Sequence, residues 1–174
     1  MGIIGTILHN LKNMKRANAI RRMPRAELMA MDDSDFFEAM EIVCEDAVYD
    51  LKEQQDLPGA LIFAYTLIKL EVEVNNGGLC QFFVNSSRDC APYVSDALAA
   101  VGAMETKSHF DRFVAENGID VQELSSFRIS RLEEFEAQTK RFDFDAFDDR
   151  FYEDNTLHQR IVDYLRSNVE QIVK

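Results

Sequence analysis

From Gly59 to Ile68 the chain is apolar on every side of a helical projection, and the helical pattern then runs into Asn75-Asn76-Gly77-Gly78. A helix with no polar face belongs in an interior. Pro58 suits its first turn, where a missing N–H costs little. The two glycines suit its end, because glycine reaches the left-handed conformation of a C-cap without a Cβ clash. The segment 58–75 is therefore expected to be a buried central helix, with the rest of the chain packed around it.

The flanking sequence supplies helices to do so. Ile3, Ile4, Ile7, Leu8, Leu11 and Met14 recur at helical spacing through residues 3–22, with bases on the other face. Pro24 interrupts, so 23–33 reads as a linker, and Asp33 or Ser34 can cap a helix running to about Gln55. Beyond the glycines a short helix is expected over 79–84. Another opens at Pro92 and ends at Gly102, and one over 106–117 is closed by Gly118. Residues 120–140 read as helical with a break near Ser125-Ser126. Phe142, Phe144, Phe147 and Phe151 sit in an aspartate-rich connector, and a last helix from about Thr156 buries Leu157, Ile161, Leu165, Val169 and Ile172. No segment has a convincing period of two. The expected fold class is all-α, with an amphipathic N-terminal segment (1–31) ahead of a single multi-helix domain (32–174).

Charge divides at the same place. Residues 1–31 carry six basic side chains against Glu27 alone, whereas 32–174 hold 13 basic and 30 acidic groups, within a net charge of −12. A body that negative repels nucleic acid and anionic membrane and attracts basic partners. The basic segment permits two readings, lying on an anionic membrane or docking its apolar face on the acidic body with its bases beside the acids, and docking or partial disorder is expected rather than membrane binding. Three separated cysteines (Cys44, Cys80, Cys90) and three scattered histidines point to a reducing compartment, with no zinc site in the spacing. A cytoplasmic protein with no metal and no cofactor is expected.

Two acidic clusters are candidate partner-binding surfaces. Along 35–56 stand Asp35, Glu38, Glu41, Glu45, Asp46, Asp50, Glu53 and Asp56, offset only by Lys52. That is one charge per roughly 4 Å of helix axis, near the phosphate spacing of about 3.4 Å on one DNA strand. Like charges four apart, as at Glu41/Glu45 and Asp46/Asp50, cost about 0.2–0.5 kcal/mol each, so stability does not ask for them. The second cluster is Asp143, Asp145, Asp148, Asp149, Glu153 and Asp154, where alternation with phenylalanines suggests anchored rings and solvated carboxylates. A calcium loop fails there, because Phe147 occupies a ligand position and no turn-making glycine follows. The polar residues Glu71, Asn75, Asn76, Gln81, Asn85, Ser86 and Ser87 suit the satisfaction of backbone groups at abutting helix ends. The alternative is an enzyme or small-molecule site with Glu71 as base.

The stretch Val74-Asn75-Asn76-Gly77-Gly78-Leu79-Cys80-Gln81-Phe82-Phe83-Val84-Asn85-Ser86-Ser87, followed by Ala91-Pro92, resembles the signature of a bacterial all-helical family whose members include DMP-type DNA mimics. The resemblance spans roughly 35–174. It implies a non-enzymatic interaction protein whose acidic surface imitates phosphates and occupies a basic DNA-binding protein, such as a transcription factor. Mimicry on 35–56 requires its carboxylates to be exposed and not paired with the protein's own arginines. It also requires charge from a second element: the 143–154 connector or a second copy in a homodimer. An immunity-type, toxin-neutralising protein would share this acidic-decoy physics.

Overall fold

The computed structural model describes the backbone of residues 3–48 and 56–174, and side chains for 11–48 and 56–174. Among the described residues the regular structure is entirely helical. In order these are α1 (Ile3–Arg22), α2 (Arg25–Met29), α3 (Asp33–Ala47), α4 (Gly59–Val84), α5 (Ala91–Ala100), α6 (Met104–Glu116), α7 (Leu132–Arg141), α8 (Asp145–Glu153), α9 (Leu157–Ser167) and α10 (Val169–Ile172). The described residues include no helix long and apolar enough to cross a membrane.

The chain divides into two units, residues 1–65 with 162–174, and residues 66–161. In the first, α3 buries Phe36, Ala39, Met40, Val43 and Cys44, and α1 packs along it through Ala17 and Ile20. The α3 cap is Asp32, one residue before the expected position, whose side chain accepts the Asp35 N–H at 2.9 Å. The expected linker 23–33 contains a short helix, because the Pro24 carbonyl accepts the N–H groups of Glu27 and Leu28 and starts a turn. Arg166 stacks on the Phe36 ring and donates to Asp33 at 2.8 Å. α3 ends at Ala47, and the expected continuation through Asp50 to Gln55 lies outside the described residues.

In the second unit the expected stop within α4 is a break at Gly77–Gly78. Gly78 has φ +75°, the left-handed side that favours glycine, while Gly77 is extended. Beyond it Phe82 and Phe83 are buried, and Phe83 is the hub of an aromatic cluster. Its centroid lies 4.9 Å from that of Phe127 and within 6.5 Å of those of Phe110, Phe113 and Phe144.

Two local expectations need correction. Residues 120–131 are not helical, apart from a 3-10 turn at Ser125–Phe127. There Asp120 accepts the Gln122 N–H and Glu123 accepts the Ser125 N–H, so side chains satisfy the backbone locally and compete with a helix. Conversely, the aspartate-rich connector contains a helix, α8. Phe147 and Phe151, four residues apart, give it a buried stripe, and Asp143 accepts the Ala146 N–H ahead of its first turn.

Candidate functional site: a broken helix and the acidic ridge it positions

The break in α4 leaves backbone groups without helical partners, and α8 supplies two of them. Asp148 Oδ1 accepts the Leu79 N–H at 2.8 Å, capping the limb beyond the glycines. One turn along α8, the Tyr152 hydroxyl donates to the Val74 carbonyl at 2.7 Å, before the break. Both sides of the Gly77–Gly78 interruption are thus bonded to one helix. Burial and the neighbouring charges of Asp145 and Asp149 push the Asp148 carboxyl up to about 6, against the pull of the Leu79 N–H.

A second knot closes the break from the other side. Glu73 Oε2 accepts Gln81 Nε2 at 2.7 Å and Asn85 Nδ2 at 2.8 Å, and the Ser87 hydroxyl lies 3.2 Å from Glu73 Oε1 and 2.9 Å from the Phe82 carbonyl. Gln81, Asn85 and Ser87 therefore converge on one carboxylate, which the sequence reading passed over in favour of Glu71. Only the knowledge that the chain bends back at the glycines brings Gln81 and Asn85 to Glu73. Asn75, Asn76 and Ser86 are exposed, and Phe82 is buried.

Glu71 is buried, and its Oε1 meets His158 Nδ1 at 3.0 Å. Burial raises its carboxyl above the ordinary range, with His158 opposing. Burial likewise pushes the Cys80 and Cys90 thiols up to about 11 and about 12, so neither is a thiolate nucleophile at neutral pH. Among the described residues no group of three or more His, Cys, Asp or Glu side chains is arranged to hold a metal ion.

The two acidic clusters differ in what faces them. On α3, Glu38 is paired with Arg16 at 2.6 Å and Asp46 with Arg21 at 2.5 Å, both arginines lying on α1. Glu41 and Glu45 are half-buried, and Asp50 lies outside the described residues. The condition that α3 carboxylates stand clear of the protein's own arginines thus fails at Glu38 and Asp46. The basic helix docks over them, as opposite charge on facing amphipathic helices dictates. Asp145 and Asp149 on α8 and Asp143 just ahead of it are exposed, and no cation pairs with them among the described residues. Beneath them Phe144, Phe147 and Phe151 are buried, the anchoring expected from the alternation.

A cleft of about 810 Å3 runs between α6 and α8, lined by Glu105, Glu116, Asp143, Asp149 and Glu153 with His109, Arg112 and Arg150. Arg150 is engaged by Glu153 at 2.8 Å, and Arg112 contacts His109. Acidic side chains thus border the cleft from both helices. Neither Glu71 nor Gln81 lines it.

A family model described as DMP19-like protein matches residues 55–168, about two thirds of the chain. The chain belongs to the DMP19-like family. The match takes in the glycine break, the Glu73 knot, α8 and the cleft, and it begins after α3. Within it stand 20 acidic and 11 basic residues. Membership of this family fits a non-enzymatic protein. No curated protein and no solved structure matches the chain.

Proposed function

We propose that this DMP19-like protein is a DNA mimic, whose phosphate-like surface is the ridge of Asp143, Asp145 and Asp149 at the start of α8 with the acidic border of α6 across the cleft. The observation that carries the reading is the contrast between the two clusters. The chain sets its own arginines against Glu38 and Asp46, yet Asp143, Asp145 and Asp149 are exposed and no cation pairs with them among the described residues.

With Asp148 turned inward as a cap, Asp145 and Asp149 stand one turn apart on α8, about 6 Å along its axis, with Asp143 just ahead of its first turn, so their spacing is close to two phosphate steps of about 3.4 Å along a DNA strand. Glu105 and Glu116, which line the far side of the cleft with His109 and Arg112 between them in sequence, are the acids this reading assigns to a second row. The partner is a basic DNA-binding protein, such as a transcription factor, which would exchange phosphates for carboxylates with the same salt dependence that governs its hold on DNA.

The role assigned to the family signature is mechanical. The α4 break offers an N–H and a carbonyl, α8 docks on both, and its remaining aspartates are held outward in fixed register. Rigid placement of charge matters, because a flexible acidic loop would lose entropy on binding.

The test is competition. A DNA-binding protein captured from the source cells should be displaced from its duplex by this protein, and Asp143→Lys/Asp145→Lys/Asp149→Lys should remove that ability. A captured partner that binds no DNA would favour the toxin-neutralising reading instead.

A further inference from the structure

The Glu73 knot uses Gln81, Asn85 and Ser87 of the signature and leaves Asn76 out. Asn76 is exposed, and its side-chain amide has no hydrogen-bond partner among the described residues. Gly77, which follows it, is exposed as well. The helical backbone of the first limb of α4 ends at Asn76, because Gly77 (φ −169°) and Gly78 (φ +75°) are not helical. Before a glycine, the next backbone nitrogen reaches an asparagine's side-chain carbonyl carbon most easily, since no Cβ stands in the way. Two other asparagines serve as comparisons. Asn117-Gly118 is the second Asn-Gly pair of the sequence. There Asn117 Nδ2 donates to the Phe113 carbonyl at 2.8 Å, and the Gly118 N–H donates to the Ala115 carbonyl at 3.2 Å. Asn85, ahead of the small Ser86, is held by Glu73 at 2.8 Å. Of the three, Asn76 alone has an untethered amide.

We propose that Asn76 is a self-modifying site, at which the backbone of the signature deamidates its own side chain and resets the α4 break. The Gly77 nitrogen gives up its proton to solvent base and attacks the Asn76 side-chain carbonyl carbon. The bond from that carbon to the amide nitrogen breaks, and ammonia leaves with a proton from water. Water then opens the resulting succinimide ring at either carbonyl. One opening gives aspartate; the other gives isoaspartate, whose main chain runs through the side chain and is one methylene longer. Water is consumed and ammonia released, with no oxidant, metal or enzyme required. Helical geometry opposes the attack, but Asn76 is the last residue of its limb, and end turns open at little cost. The product places a carboxylate at the carbonyl end of a helical limb, where negative charge is unfavourable. The added methylene also displaces Gly78 and the Leu79 N–H that Asp148 accepts, loosening the cap that joins α8 to the break. This inference does not depend on the mimicry reading, since the chemistry uses residues 76 and 77 alone.

The test is ageing of the folded full chain at mildly alkaline pH and body temperature, followed by peptide mass mapping. Isoaspartate is counted by methyl transfer from S-adenosylmethionine with an isoaspartyl carboxyl methyltransferase as reagent. Asn76 should convert at least about tenfold faster than Asn117 or Asn85, the gap that one retained side-chain hydrogen bond gives. In urea, where no fold protects either Asn-Gly pair, Asn76 and Asn117 should convert at similar rates. Gly77→Ala should slow conversion at Asn76 in the folded protein and in urea alike, and Asn76→Gln should abolish the methyl acceptor at that position. The isoaspartyl form, separated by charge, should unfold at lower urea than fresh protein, while Asn76→Gln aged in parallel should not change. Conversion of native Asn76 no faster than that of Asn117, or its absence over the time in which the unfolded chain converts, would overturn the site. Conversion with an unchanged urea midpoint would overturn its effect on the break.

Discussion

Asp148 accepts the Leu79 N–H at 2.8 Å, so a side chain from the acidic helix α8 caps the limb of α4 that begins just beyond Gly78. One bond joins the family signature to the acidic ridge. The signature's glycines, its polar knot and the position of three exposed aspartates then become parts of one arrangement, and each can be tested separately.

Gly78 is the most constrained position in the break. Its φ of +75° is strained for any other residue, and a Cβ there would meet the Asp148 carboxylate. Gly78→Ala should destabilise the protein by about 1–3 kcal/mol in urea unfolding. Gly77→Ala, in a conformation open to other residues, would crowd the Gln81 side chain and displace its amide from Glu73, and should cost less than Gly78→Ala.

Asp148 should make stability depend on pH. Its folded-state value, raised to about 6 from an ordinary 3.8, means that the folded protein holds this proton more tightly than the unfolded chain. Its contribution is therefore most favourable below about pH 4 and is lost as pH rises through about 6. Asp148→Asn keeps an oxygen for the Leu79 N–H and removes the titration. Relative to wild type, it should gain up to about 1–2 kcal/mol between pH 4 and pH 7, the figure reduced for partial exposure. An unchanged difference across that range would remove Asp148 as a buried, titrating cap.

Glu73 should matter more than Glu71 to the fold of the signature. Glu73→Ala removes the acceptor shared by the Gln81 and Asn85 amides, while the Ser87 hydroxyl keeps the Phe82 carbonyl, and should cost about 1–2 kcal/mol. Double-mutant cycles of Glu73→Ala with Asn85→Ala should be strongly non-additive, because both act in one network.

The helical architecture was legible because periodicity reports burial directly. The Gly59–Ile68 run, the glycines at 78, 102 and 118 and the terminal stripe Leu157–Ile172 all stand where spacing put them. The misreadings fall where local hydrogen bonds compete with periodicity. At 120–131, Asp120 and Glu123 turn the backbone aside, and at 145–153 a dense run of aspartates concealed a helix held by Phe147 and Phe151. Of the site, the Asn-Gly-Gly break and the outward aspartates were visible, but the Glu73 knot and the Asp148 cap were not. The cap joins residues 69 positions apart and the knot joins residues 8 to 14 apart across the break, and only the folded path brings either set together. Likewise charge counting could not tell which acidic cluster the basic segment neutralises; the Arg16–Glu38 and Arg21–Asp46 pairs decide that.

Those pairs yield a contrasting expectation for the two clusters. Asp46→Ala leaves the half-buried Arg21 guanidinium without its carboxylate and should cost about 1–2 kcal/mol, without weakening partner binding. Reversal of the exposed, like-charged α8 aspartates should leave thermal stability unchanged or slightly raised.

The most direct measurement is displacement of a duplex from a DNA-binding partner, titrated with wild type, with Asp143→Lys/Asp145→Lys/Asp149→Lys and with Asp46→Ala. The mimic account predicts that wild type and Asp46→Ala displace the duplex equally, with a strong dependence on salt, and that the triple variant fails although it is folded. Displacement by the triple variant at undiminished affinity would contradict the account and reduce the α8 aspartates to a solvated face.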